Sequence, residues 1–212
     1  MSEHAPVCDH PLFNYQPAWA QAGAAVGHVT RHANLAVPPA ALWSVLADPR
    51  TWADWLTVHQ RWVVEPRTAF VPGARMTAET LMLGISNTVE WTVESAIAPG
   101  ALVLIGVGEA GMRTRFTFWV SPAEDGSRLT VTSEVTGALL NDAVIAAIEA
   151  DGVEQLDRSV TLLASLAAAV PESPARPDLR LVHSAPASAE QRMVEQRGEP
   201  RWTDNAQLRM VR

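Results

Sequence analysis

The chain has 212 residues, a formal net charge of −7 and 48% hydrophobic residues including eight tryptophans, enough for one domain with a real core and flanking tails. The acidic balance, with every basic residue an arginine, argues against a general nucleic-acid surface, which needs clustered positive charge. The single cysteine, Cys8, excludes an internal disulfide and fits a reducing cytoplasm; the opening, with Glu3 and Asp9 and no apolar run, does not read as a signal peptide, and no run of about 18 uninterrupted apolar residues marks a membrane span.

Residues 1–25 contain Pro6, Pro11 and Pro17 and show no period. They read as a loose arm, with Phe13, Tyr15 and Trp19 available to pin it to the domain. From Val26 to Val37 the sequence alternates, Val29, Ala33, Leu35 and Val37 against His28, Thr30, His32 and Asn34, which predicts a half-buried first strand. Pro38 and Pro39 stop it, and proline suits the first turn of a helix, here Pro39 to Leu46 with Leu42, Trp43 and Leu46 inward. Asp48 can cap a second helix, Pro49 to Leu56, that carries Trp52 and Trp55 on one side.

Six strand-like segments follow: His59–Glu65, Ala74–Leu83, Ser86–Ile97, Ala101–Glu109, Met112–Ser121 and Arg128–Thr136. The turns between them are short, so successive strands are expected to pair antiparallel as a meander. Alternation puts Val89, Trp91 and Val93, then Thr114, Phe116 and Phe118, then Val131, Ser133 and Val135 inside, because unpaired buried charge is costly. Arg113 and Arg115 would then pair with Glu90 and Glu94 on the outer face, at about 0–1 kcal/mol each.

The stretch Leu139 to Val170 is rich in Ala and Leu and free of proline, so it predicts a long helix. Leu140, Val144, Ile148, Gln155, Ser159, Leu162 and Leu166 recur at three-, four- or seven-residue steps and are expected to share one face. That face is apolar at its ends and small or polar in its middle, which suggests a cavity beneath it. Gly152, in the middle, costs a helix about 1 kcal/mol relative to Ala, which a packing or ligand reason such as a bend over the cavity would justify; the alternative is drift at an exposed turn. Residues 171–212, with Pro171, Pro174 and Pro177 and mixed charges, have the composition of a disordered tail.

The run Val37-Pro38-Pro39-Ala40-Ala41-Leu42-Trp43-Ser44-Val45-Leu46-Ala47-Asp48-Pro49, followed by Trp52 and Trp55, resembles the opening signature of the START-like polyketide cyclase/dehydrase and lipid-transport superfamily, also called SRPBCC. Trp55-Leu56-Thr57-Val58-His59 with Trp62, the segment Asn87-Thr88-Val89-Glu90-Trp91-Thr92-Val93, and Ala150-Asp151 leading to Leu156 resemble a narrower bacterial subgroup of toxin-like proteins from toxin–antitoxin pairs. The resemblance spans residues 26–169 and implies an α+β helix-grip domain over 26–170: a curved antiparallel sheet of about seven strands wrapped round the C-terminal helix, with an apolar cavity between them.

On that frame the expected cavity lining is Met76, Ala78, Thr80, Met82, Val89, Trp91, Met112, Thr114, Phe116, Ser133, Gln155 and Ser159, with Trp52, Trp55 and His59 at one mouth and Asn87 placed to orient a ligand carbonyl. The alternative is that these side chains fill a solid core. His59 is a candidate acid or base, since an unperturbed imidazole titrates near neutrality, but no acidic partner stands at a telling spacing. Glu79 and Glu109 would be acid candidates only if they turned inward. His28 and His32, and His4, Cys8 and His10, lack the ligand set of a metal site, and Gly106, Gly108 and Gly111 precede no helix and so form no dinucleotide fingerprint. No catalytic residue, metal or cofactor is assigned. The expected partner is a small hydrophobic molecule, lipid- or polyketide-like, in a cytoplasmic monomer or homodimer that neither binds nucleic acid nor inserts stably in membranes. What the resemblance implies as alternatives is a toxin-like component with a small antitoxin-like partner, or a cyclase, aromatase or dehydratase enzyme.

Overall fold

A computed structural model describes residues 26–66 and 69–171. The expected N-terminal arm and C-terminal tail, and the His4, Cys8 and His10 trio, lie outside the described residues. The described residues all belong to the first of two units into which the chain divides, Met1–Ser173.

Strand β1 runs from Val26 to Leu35 and helix α1 from Pro39 to Leu46, started by the proline pair as its fixed φ angles favour. Asp48 accepts a hydrogen bond from the Arg50 backbone N–H (3.0 Å) and opens a 3-10 turn, Pro49–Thr51, that leads into the short helix α2, Trp52–Trp55. The expected single helix from Pro49 to Leu56 is therefore two pieces. Trp52 and Trp55, three apart on α2, share the side that turns into the core, where each is almost fully buried.

Strands β2 (His59–Val64), β3 (Arg75–Met82), β4 (Ile85–Ile97), β5 (Ala101–Val107), β6 (Arg113–Ala123) and β7 (Gly126–Thr136) form the meander. The seven-stranded sheet has the order β1-β7-β6-β5-β4-β3-β2 and is antiparallel throughout. Its first and last strands lie side by side, with Val29 opposite Ser133 and Leu35 opposite Ser127. The β3–β4 turn places Leu83 (φ +52°) and Gly84 (φ +73°) in the left-handed region, the pattern of a tight two-residue hairpin loop. The sheet curves around the long helix α3, Asp142–Ala168, whose N-terminus is capped by Asn141 Oδ1 accepting from the Val144 N–H at 3.0 Å.

α3 packs on β1, β3, α1 and α2 through Ile148, Leu156, Ser159, Leu163 and Ala167. This face is rotated by about 75° from the expected stripe, at about 100° per residue, although Ile148 and Ser159 belong to both. Leu163 is fully buried while Leu162 is 42% exposed. Seven-residue steps misjudge the centre of the face, because the packed positions follow β1 and α1 and not the most even apolar spacing. β1's free edge is covered by the helix: the His28 N–H donates to Glu149 Oε1 (2.8 Å), and Arg31 pairs with Asp157 (2.8 Å).

The outer face also departs from expectation at Arg115. It pairs with Glu94 at 2.7 Å as foreseen, but its side chain is only 5% exposed, so this is not a surface pair. Arg61 and Glu79 pair across β2 and β3, which places Glu79 outward.

Candidate functional site

The concave face of the sheet carries every second residue of each strand, and α3 crosses it. Where the helix stands off the sheet, a cleft remains. It contains about 640 Å3 of atom-free space out to its open mouth, of which about 40 Å3 can hold the centre of a water molecule. By that second measure one water needs roughly 10–15 Å3, so the cleft is open but narrow.

Alternation delivers its walls. Val89 and Trp91 come from β4, Thr114 and Phe116 from β6, Ser133 and Val135 from β7, and Gly27 and Val29 from β1. Thr80, Leu81 and Met82 at the end of β3 and Met112 just before β6 form one rim; Ile148, Asp151, Gly152 and Leu156 of α3 form the other side. The floor depends on Gly106 of β5, where a Cβ would come within 2.6 Å of Thr114 Cγ2, 2.7 Å of Val89 Cγ1 and 2.9 Å of Trp91 Cε3. Only glycine lets the Trp91 ring lie across that strand. Trp91 and Phe116 meet with ring centroids 5.5 Å apart. On the helix side a Cβ at Gly152 would sit 3.2 Å from Val29 Cγ2, so the glycine sets how closely α3 approaches β1.

Asp151 is the one ionisable side chain among the described residues of the lining. Its Oδ2 accepts from the Leu83 N–H at 3.1 Å, tying the helix to the β3–β4 hairpin. A leucine with positive φ costs about 1–2 kcal/mol of backbone strain, and this hydrogen bond helps to hold it.

Of the expected ligand-contacting residues, the structure brings Thr80, Trp91, Met112, Thr114 and Phe116 into the lining, with Met82, Val89 and Ser133 beside them. Trp52, Trp55, His59, Met76, Asn87, Gln155 and Ser159 stand elsewhere, and so does Ala78. Trp52 and Trp55 build an aromatic cluster with Trp62, Phe70 and Phe118 in place of a mouth, and Trp52 Nε1 donates to the Leu46 carbonyl at 3.0 Å. Met76 and Ala78 are buried in the same continuous core. Ser159 is a structural junction: its Oγ accepts from the Thr57 N–H (3.0 Å), while Thr57 Oγ1 donates to the Gln155 carbonyl (2.9 Å). Gln155 contributes that backbone oxygen. Asn87 braces the β5–β6 connection, its Oδ1 accepting from the Glu109 N–H at 3.4 Å.

His59 is 5% exposed and lies against Trp62 (4.4 Å between centroids) and Trp52 (6.1 Å). Burial pushes its imidazole down to about 4, so the ring is neutral at pH 7, and Nε2 has no hydrogen-bond partner among the described residues. It is a core aromatic, packed behind Val58 and Thr80 of the lining and not itself part of it. Among the described residues no group of three or more His, Cys, Asp or Glu is placed to hold a metal ion, and no helix is long and apolar enough to cross a membrane.

Asp151, Gly152, Gly27 and Val58 are the lining residues with the faintest sequence signals. Asp151 is one of several carboxylates along α3, with Glu149, Glu154 and Asp157 close by, so its sequence position does not single it out; the helical Gly152 beside it is the available clue.

Comparison with known proteins agrees with this architecture. The profile of the family described as "Polyketide cyclase / dehydrase and lipid transport" matches residues 26–164. Two Mycobacterium tuberculosis proteins, named Toxin Rv0910 and Toxin MT0934, are each 29% identical over 132 residues, covering 60% of this chain and 92% of theirs. Among solved structures, the Zhui aromatase/cyclase from Streptomyces sp. R1128 superposes with a TM-score of 0.57 at 14% identity, over 68% of this chain and 94% of that one. A Staphylococcus aureus protein of unknown function, SA2116, gives 0.55 at 9% identity, over 69% and 96%. At these identities the structural likeness establishes the helix-grip fold alone. The family profile spans more than half of the sequence, and the chain belongs to the polyketide cyclase/dehydrase and lipid-transport family.

Proposed function

We propose that this protein binds a small hydrophobic molecule in the cleft between α3 and the sheet, without catalysing a reaction. The observation that supports this most is the cleft itself: a partly enclosed space walled by Trp91, Phe116, Met82 and Met112 and dotted with Thr80, Thr114 and Ser133. Small-molecule sites combine apolar walls with a few placed polar groups in this way. The unbranched thioethers of Met82 and Met112 can shift to widen a narrow slot. The lone cysteine of the sequence suits a cytoplasmic setting for such a binder.

A ligand that binds only the folded state at one hundred times its Kd stabilises it by about 2.7 kcal/mol. Native mass spectrometry of the purified chain, with thermal shifts against a lipid-extract panel, tests the reading. A retained or stabilising hydrophobic ligand supports it; no shift from any compound counts against it.

A second reading has its own support. The two curated relatives carry the name toxin, which favours a toxin-like role with a small protein partner. Expression should then arrest growth, and a neighbouring small gene should relieve the arrest. Normal growth under strong expression would remove this reading and leave the first intact.

A further inference from the structure

We propose that the cleft selects a slender, single-chain amphiphile whose head is a hydroxyl or a protonated amine, held at Asp151, and that it rejects the matching carboxylate. This rests on the ligand-binding reading and adds the chemistry of the head group.

The polar layout of the cleft argues for it. Asp151 stands at the rim where α3 meets the β3–β4 hairpin, and among the described residues only one of its oxygens is engaged, by the Leu83 N–H. The remaining lone pairs can accept from a ligand hydroxyl, and a charge-assisted bond to an ammonium is about twice as strong as a neutral one. Among the described residues no arginine or histidine lines the cleft, and the sequence has no lysine. A carboxylate entering there would lose its hydration without gaining a cation, and would face the Asp151 charge.

The surrounding charges point the same way. α3 adds Glu149 two residues before Asp151, and the β5–β6 connection adds Glu109. Arg113, at the start of β6, is exposed, and Arg115 is held by Glu94 on the outer face. His28 is exposed on β1 and bonded to Thr30. The positive end of the α3 dipole, which would favour an anion, is already occupied by the Asn141 cap and by Asp142 in the first turn.

The tail is limited by the small volume. With room for water centres of only about 40 Å3, the slot between Trp91, Phe116 and the two methionines accepts a linear chain more readily than a fused ring system. The Thr114 and Ser133 side-chain hydroxyls form no hydrogen bond with other described residues and leave the inner end mildly polar, which also suits a short chain.

The test uses three ten-carbon probes, decylamine, 1-decanol and decanoate, titrated below their micellar concentrations into the full chain, read by tryptophan fluorescence and calorimetry. The wild type should bind decylamine at least about tenfold more tightly than decanoate, with decanol between them. Asp151→Asn is nearly isosteric and still offers Oδ1 to the Leu83 N–H. It should abolish the amine's advantage, strengthen decanoate and leave decanol nearly unchanged. Asp142→Asn changes the net charge equally but lies outside the cleft, so it should keep the wild-type order. Decanoate binding the wild type as tightly as decylamine, or Asp151→Asn and Asp142→Asn behaving alike, would overturn the head-group proposal while leaving ligand binding in place. If none of the three probes bound, the head-group proposal would fall, and the ligand-binding reading would be decided separately by the lipid-extract panel.

Discussion

At the scale of single residues, burial changes what a side chain can do. His59 is a candidate acid or base as a letter in the sequence, but in the fold it is an aromatic wedge among tryptophans. Its unfolded value is 6.5 and its folded value about 4. Between these values the unfolded chain takes up a proton that the folded chain refuses. The group's contribution to stability is therefore complete above about pH 6.5, declines as pH falls, and is lost by about pH 4. Thermal unfolding of the wild type should consequently drop more between about pH 7.5 and pH 5 than that of His59→Gln; equal drops would contradict the assignment. Gly152 gives the opposite lesson, a residue whose value lies in what it lacks. Gly152→Ala gains about 1 kcal/mol of helix propensity but adds a methyl 3.2 Å from Val29 Cγ2. Net unfolding free energy should move by less than about 1 kcal/mol. Decanol affinity should fall, because the same methyl narrows the cleft.

Elements were more legible than the faces they present. Strand alternation and the proline pair at Pro38 and Pro39 are local signals, so β1, α1 and the six later strands appear within a few residues of where periodicity puts them. The inward set Val89, Trp91, Thr114, Phe116 and Ser133 follows from the two-residue period, which cannot drift. A helix can drift. α3 has apolar residues over a wide arc, and its packed side was settled by contact with β1 and α1. The distinction can be measured. Leu163→Ala should cost about 2–5 kcal/mol in urea unfolding, whereas Leu162→Ala should stay within about 0.5 kcal/mol. Similar costs at the two sites would mean the rotation is wrong. Ser159→Ala removes the acceptor of the Thr57 N–H, and a part-buried donor left unpaired should cost about 1–3 kcal/mol with an unchanged m-value.

At the scale of the whole molecule, the pairing of β1 with β7 brings the first and last strands together, and α3 covers the β1 edge. The opposite edge is β2, short, irregular in register with β3, and exposed at Val63 and Val64. Native-state amide exchange should therefore be slowest in β5, β6 and β7 and fastest in β2, with β1 resembling the interior strands and not an edge. Rapid exchange throughout β1 would argue against the helix covering it. The sequence alone determined the order and type of the elements and the inner side of the strands, because those depend on periods of two residues and on proline and glycine chemistry close along the chain. Its resemblance to a known family supplied the helix-grip architecture. Only the tertiary structure decided which side of α3 faces the sheet, that Trp52, Trp55 and His59 are core and not mouth, and that Asp151 stands at the rim of the cleft. Those outcomes depend on contacts between segments far apart in sequence, where the distance of closest approach, at Gly27, Gly106 and Gly152, sets which side chains meet and which leave a gap.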